Sequence, residues 1–397
     1  MSKAYIVSTG IICAIGEDAR ECLHSLQNGK HGIGRAQFLQ SNWVNERPVG
    51  EVKLSSQQLA DNLNTTRDWP RTALLSGIAV KEAWSPFART KTDFAVGFLS
   101  ANTVGGMDKT EDFFGDFLKD NKAGELRDFV NHECGAVTNL VAEFGGFKGF
   151  TTTVSTACSS SANSIMMAAQ MIRDGLLDVA VAGGADSLCR FTLNGFNTLG
   201  ILDNELCKPF DANRKGLNLG EGAAYLVLMS EKAVEAYGAE PIAIVSGWGN
   251  ANDAHHQTAS SPEGAGNKLA IQAAIDCAGL LPEDISYINL HGTGTENNDS
   301  SEGLAIEAIF GENVPPASST KAFTGHTLGA SGAVEAVFST IALRDGIIYP
   351  NLRFKMQMPE LTFRPNTRME EAADVQHVLS NSFGFGGACT SLIFSKC

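Results

Sequence analysis

Short β-rich runs recur along the chain between stretches of helical periodicity: "AYIVSTG", "DFAVGFLS", "TTTVSTA", "DVAVAGG", "AAYLVLMS", "PIAIVSGWG", "DISYINLHG" and "HVLSNSFGFGG". Several are apolar on both faces, which predicts buried strands rather than strands with one wet side. Between them, Ile165, Met166, Ala169 and Ile172 form one helical stripe that stops at Gly175, because glycine readily takes the left-handed conformation that ends a helix. Residues 268–278 before Gly279 and 333–344 before Gly346 repeat that form. Strands alternating with helices predict βαβ units around buried, parallel or mixed sheets, an α/β fold.

No Pro- or Ser-rich linker divides this pattern. The softest boundary is "SEKAVEAYGAEP", polar and closed by Gly238 and Pro241, which predicts two halves, 1–230 and 231–397. The length of 397 residues fits, since one hydrophobic core stops growing before that size. The opening "MSKAYIVSTGIICAIG" reads as a first strand, and nothing in the chain approaches the roughly eighteen apolar residues of a membrane span.

Charge narrows the function. A formal net charge of −14 and a pI near 5.0 argue against a nucleic-acid partner, because phosphate binding needs a basic surface. An acidic carrier protein can still dock on a local basic cluster, for which Arg67 and Arg71 are candidates. Nine cysteines, an odd number without a CxxC pair, predict reduced thiols and a cytoplasmic protein.

Four stretches carry candidate chemistry. In "TTTVSTACSSSANSI", Cys158 stands between a strand and a helix, where the helix dipole and free N–H groups lower a thiol pKa. The small neighbours Ala157, Ser159, Ser160 and Ser161 leave room for a substrate carbonyl, and the Cys158 N–H can donate to an oxyanion. With nine cysteines, a packed structural thiol is the competing reading. In "INLHGTGTENNDSSEG", His291 ends a strand beside glycines, placed to orient or protonate a substrate oxygen, while Thr293 and Thr295 suit a polar, amide-bearing arm. Standing alone, His291 is more simply a loop histidine bonded to backbone.

"SSTKAFTGHTLGASGAVEAVF" places Lys321 and His326 on a glycine-rich approach to an apolar helix. Lys321 is expected to pair with a buried acid such as Glu302 or to hold His326; an isolated lysine is otherwise a solvated one. In "SNSFGFGGACTSLIF", two strands flank a glycine turn that lets backbone approach a ligand. There the Phe385 N–H is a second oxyanion donor and its ring a gate over an acyl pocket; the plainer alternative is a tight hairpin with core aromatics. No HExxH and no closely spaced Cys and His ligands occur, so no metal is expected. Neither a Walker loop nor a dinucleotide fingerprint is present.

Taken together, these stretches and "KPFDANRKGLNLGEGAAYLVL" (208–228) resemble the beta-ketoacyl-[acyl carrier protein] synthases of the I/II type, condensing enzymes of the thiolase-like superfamily. The resemblance covers nearly the whole chain. It implies a five-layered αβαβα fold of two pseudo-duplicated halves, with Cys158 in the first and His291 and His326 in the second. It further implies decarboxylative condensation of an acyl thioester with malonyl-[acyl carrier protein], in fatty acid or polyketide synthesis. Cys158 would accept the acyl group. His291 and His326 would stabilise the malonyl-derived enolate, and the Cys158 and Phe385 N–H groups the later oxyanion. Phe383 and Phe385 would gate the site, Thr293 and Thr295 would bind the pantetheine arm, and Lys321, Glu302 and Asp299 would support the geometry.

No resident cofactor is implied, since the substrates ride on the carrier's phosphopantetheine. The implied partners are that acyl carrier protein and a second subunit, either another copy or a related ketosynthase-like chain. The chain departs from the family pattern at Ala388 and Cys389, where many relatives have Thr-Asn. Short length and a polar "HGTGTENNDSSEG" loop suggest a specialised member that builds an aryl polyene or flexirubin-like pigment. A chain-length-factor-like subunit, which lacks the reactive cysteine, is the non-catalytic alternative, and a thiolase with a second catalytic cysteine is the other enzyme considered.

Overall fold

The computed structural model describes residues 2–397. Its strands are β1 (Ala4–Cys13), β2 (Val96–Ala101), β3 (Thr151–Val154), β4 (Val179–Asp186), β5 (Gly222–Met229), β6 (Ala243–Asn252), β7 (Tyr287–Asn289), β8 (Ala317–Ser318), β9 (His377–Gly384) and β10 (Ala388–Ser395). They lie in the order β3-β2-β4-β5-β1-β6-β10-β9-β7-β8. Read inward from each edge, β3-β2-β4-β5-β1 matches β8-β7-β9-β10-β6, so the arrangement is duplicated. The directions match too. β2 is parallel to β3 and β4, as β7 is to β8 and β9, and β4–β5 is antiparallel, as is β9–β10. The two repeats meet where Ala4, Tyr5 and Ile6 pair with Val245, Ile244 and Ala243.

The alternating strand faces sort the core into layers. Val179, Val181, Tyr225 and Val227 pack on the helices Arg71–Trp84 and Cys134–Gly145. The opposite-facing Ala180, Ala182, Leu226 and Leu228 pack on the helices Ser160–Arg173 and Ser331–Asp345, with Val378, Leu392 and Phe394 of the second repeat on their other side. Ile288, Leu379 and Ile393 then meet the helices Ala265–Ala278 and Glu296–Phe310. Helices, sheet, two central helices, sheet and helices make the five-layered αβαβα fold that the resemblance implies.

Close packing of helix on sheet depends on strand glycines. A side chain at Gly10 would strike Ala79 O, and one at Gly249 would strike Ala270 O, the equivalent contacts in the two repeats. The central helices are buried nearly all round, which is why their sequences, rich in Ala, Ser and Gly, show only a faint amphipathic stripe. Their N-termini carry the junctions of interest.

Candidate active site

The turn after β3 presents Cys158 two residues before the helix Ser160–Arg173. Ala157 takes φ +53°, a conformation unusual for a residue with a Cβ, and so marks a strained turn. Small hydroxyls hold it. The Thr156 N–H donates to Ser160 Oγ (2.7 Å), Ser160 Oγ–H donates to Ala157 O (2.6 Å) and Ser159 Oγ–H to Thr156 O (2.9 Å). Asn163 adds a bond to Thr156 Oγ1 (2.9 Å) and accepts from Thr390 and Asn250. The serines therefore satisfy the backbone of a buried turn, where the sequence suggested that their role was to leave space.

Cys158 is only 7% exposed, reached through a cavity rather than standing open. Burial pushes its thiol up to about 11, against the lowering action of Lys321 and of the Phe385 and Cys158 N–H groups. The depressed pKa expected from the helix end is thus overturned in the resting site, because desolvation of a thiolate outweighs the dipole. The two N–H groups nevertheless converge beside the sulfur, where an oxyanion would form. Gly384 makes this possible: a Cβ there would lie 2.9 Å from Cys158 N.

His291 follows β7, and Lys321 holds it. Lys321 Nζ lies 3.1 Å from His291 Nδ1, donates to His291 O (2.6 Å) and ion-pairs with Glu335. The expected partners of Lys321, Glu302 or His326, are corrected to Glu335 and His291. Glu302 instead accepts the N–H groups of His291 and Gly292 (both 2.8 Å) and Asn381 Nδ2 (3.1 Å). Asp299 accepts from Thr293, Gly294 and Phe210. Both acids stand in the first two turns of the helix Glu296–Phe310, so the polar stretch that reads as loop is helical. Its carboxylates turn inward onto loop amides.

His326 accepts a bond at Nδ1 from the Leu328 N–H (3.2 Å), and Ser331 Oγ lies 2.8 Å from the same atom. An imidazole accepting at Nδ1 carries its proton on Nε2. The ammonium of Lys321 beside His291 Nδ1 fixes the same tautomer there. Burial first, and then Lys321, holds both imidazoles well below their ordinary pKa. Both are consequently neutral Nε2–H donors near pH 7. The rings lie 5.4 Å apart at 88°, and Phe383 packs 6.0 Å from His291.

The Cys158 sulfur and ring nitrogens of His291 and His326 all lie within 4.8 Å of one another, a closeness invisible in the sequence spacing. Three such donors could ligate a soft cation, but the adjacent Lys321 ammonium opposes one electrostatically. Neutral donors facing a thiol suit acyl transfer and enolate stabilisation better. Cys158, His291, Thr293, Thr295, His326, Phe383 and Phe385 share a cavity of about 350 Å³. Cys158 and Phe385 also line a smaller, apolar one of about 170 Å³ with Met107, Phe191 and Leu328. Phe196, which the sequence did not single out, lines both and stacks on Phe385 at 5.7 Å. Two stacked rings thus stand between the cavities.

Other expectations resolve. Arg71 is 7% exposed and forms a two-pronged pair with Glu221 (2.6–3.1 Å), so it cannot join a docking surface; Arg67 is exposed and pairs with Glu143. Cys389 faces Asn267, and neither it nor Ala388 lines the cavity that holds Cys158 and the two histidines. Among the described residues no helix is long and apolar enough to cross a membrane.

Residues 1–233 match the model of the beta-ketoacyl synthase N-terminal domain, and residues 242–355 that of its C-terminal domain. The chain is 31% identical to 3-oxoacyl-[acyl-carrier-protein] synthase 2 of Staphylococcus aureus (strain COL), over 99% of this chain and 98% of that protein. It is 30% identical to nodulation protein E of Rhizobium meliloti (strain 1021), over 99% of each. Among solved structures, the ishigamide ketosynthase/chain length factor superposes with TM-score 0.93 and 29% identity over 100% of this chain and 99% of that one. A ketosynthase in complex with its chain length factor from Xenorhabdus doucetiae gives 0.88 and 31% over 100% and 98%. Chain length therefore does not set this protein apart from its relatives.

Proposed function

The chain belongs to the beta-ketoacyl synthase family, and on that premise we propose how its own residues divide the work of an acyltransferase that condenses acyl units for fatty acid or polyketide synthesis. The Cys158 sulfur attacks the acyl thioester on the carrier's phosphopantetheine. Its proton leaves with the pantetheine thiol, and the acyl group remains on the enzyme. Malonyl-carrier then enters past Thr293 and Thr295. Its carboxylate departs as carbon dioxide, and the electron pair is held as an enolate by the Nε2–H groups of His291 and His326. The enolate carbon attacks the acyl-Cys158 carbonyl, and the N–H groups of Cys158 and Phe385 hold the resulting oxyanion. Collapse breaks the C–S bond, returns Cys158 as thiolate and releases beta-ketoacyl-carrier. The protein supplies no cofactor of its own.

The observation that carries this reading is the meeting of one thiol and two neutral imidazoles within 4.8 Å. It also supports catalysis over a chain-length-factor role, for which a nucleophile is unnecessary. The division at 1–230 and 231–397 gains support from the duplicated strand order, Cys158 falling in one unit and the histidines in the other.

A second subunit belongs to the proposal. β3 is an unpaired edge, and Phe114, Leu118, Leu126 and Val130 are exposed. The chain length factor in complex with the Xenorhabdus doucetiae ketosynthase supports a ketosynthase-like second subunit, and another copy of this chain is the other form of the proposal. An aryl polyene or flexirubin-like product is the narrower form of this reading. Carbon dioxide release from malonyl-carrier, coupled to beta-ketoacyl-carrier formation, tests the proposal. Acetyl-CoA exchange without malonate would instead indicate a thiolase.

A further inference from the structure

At the opposite end of the helix Ser160–Arg173, a third cavity of about 390 Å³ opens between the repeats. Fourteen helical residues at ~1.5 Å each separate it from Cys158 by about 20 Å, so it is not part of the condensation site. Its lining includes Lys3, Arg173, His377 and Lys396 and no Asp or Glu. In a chain of net charge −14, three cations brought together from the first strand's entry, a helix end and the last strand's exit are unexpected. Val245, Trp248, Ala278 and Leu280 supply apolar wall.

Arg173 is held ready. Its guanidinium lies 4.3 Å from the Trp248 ring centroid, a cation–π contact that fixes its plane. Nη1 donates only to the weak acceptor Cys277 Sγ (3.5 Å), and buried Nε lacks a hydrogen-bond partner among the described residues. Asp174 Oδ1 lies 3.7 Å from Nε, a partly exposed ion pair without a hydrogen bond, which solvent screens and which leaves the donor directions of the guanidinium open. A guanidinium so poorly satisfied by protein retains capacity for a planar anion, with which it forms paired hydrogen bonds. Lys3 and Lys396 are exposed and add long-range attraction. The Ser246, Ser395 and His377 side chains bond to one another (2.6 and 2.8 Å) along the same wall.

We propose that this cavity binds a small amphipathic carboxylate, the anion on Arg173 and the rim lysines and the apolar body against Trp248 and Leu280. Its volume lies within the usual range for small-molecule sites. The proposal is independent of the condensation chemistry. Calorimetric titration of the full chain with decanoate, and with decanol as the uncharged probe, tests it. Decanoate is expected to bind with a Kd of about 0.1–1 mM, and decanol at least tenfold more weakly. Arg173→Gln should weaken decanoate at least tenfold without changing condensation rate. The exposed double variant Lys3→Gln/Lys396→Gln, which leaves the core untouched, should weaken it about threefold and remove most of its salt dependence. Equal binding of decanol, undiminished binding by Arg173→Gln, or undiminished binding by the double variant would each overturn the proposal.

Discussion

Cys158 and His326 occupy corresponding places: each lies just ahead of a buried central helix, after the edge strand of its repeat. The two junctions are stabilised in opposite ways. Around Cys158 the turn rests on hydroxyls, one amide side chain and backbone, and the thiol is left neutral by burial. Around the histidines, buried charge does the holding: Lys321 with Glu335, and the carboxyls of Glu302 and Asp299 on loop amides. Burial raises Glu302 and Glu335 to about 7. The duplicated scaffold thus supplies position only; chemistry comes from what surrounds each junction. Asp186 ties the two together, accepting from Thr103 and Val104 of the first repeat and from Gly329 just after His326.

The sharpest way to break the comparison is Cys158→Ala, expected to lower acyl transfer about 1,000-fold or more while malonyl decarboxylation persists. Equal loss of both half-reactions would end the division. Gly384→Ala places a Cβ against Cys158 N and should cost about 100-fold in acylation, the usual effect of losing an oxyanion donor. From the other side, Lys321→Ala should slow decarboxylation about 10–100-fold more than acylation. It should also destabilise the fold by about 1–3 kcal/mol, measured by denaturant unfolding, because Glu335 loses its partner and must protonate to stay buried. Adding Glu335→Gln should restore part of that stability but not the rate.

pH separates the junctions more gently. Below a thiol pKa of about 11, the thiolate fraction grows with pH, so single-turnover acylation should rise several-fold per unit between pH 6 and 9. With both imidazoles held below their ordinary pKa, decarboxylation should vary by only a few-fold between pH 6.5 and 8, the remaining dependence following Glu302 and Glu335 near 7. The smallest effect belongs to Thr156→Val, which removes the Asn163 bond and should cost about 1 kcal/mol with a loss of acylation of about twofold or less.

Strands, the three helices and the placing of Cys158, His291, His326 and Lys321 were legible because periodicity and glycine stops are local signals. Two-residue β8 was not, being defined only by its pairing with β7. Glu335 was hidden for a similar reason. In "ASGAVEAVF" it looks like an ordinary helix-surface acid, and only the packing of that helix between two sheets turns it inward. Arg71 and the thiol misled in the same direction. Sequence registers charge and helix ends but not desolvation, which buries one in an ion pair and reverses the pKa shift of the other. Phe196 offered no signal at all: its helix, Arg190–Thr198, is mostly partly exposed, and its role arises from stacking on Phe385 across the fold.

The central claim is that Cys158, alone of nine cysteines, carries the acyl group and surrenders it to a malonyl-derived carbanion. Peptide mass spectrometry after incubation with acyl-carrier, before and after malonyl-carrier is added, reads this directly. The expected result is the acyl mass on the Cys158 peptide alone, discharged when beta-ketoacyl-carrier appears. Acyl mass on another residue, or an unmodified Cys158 in a protein that still makes the product, would contradict it.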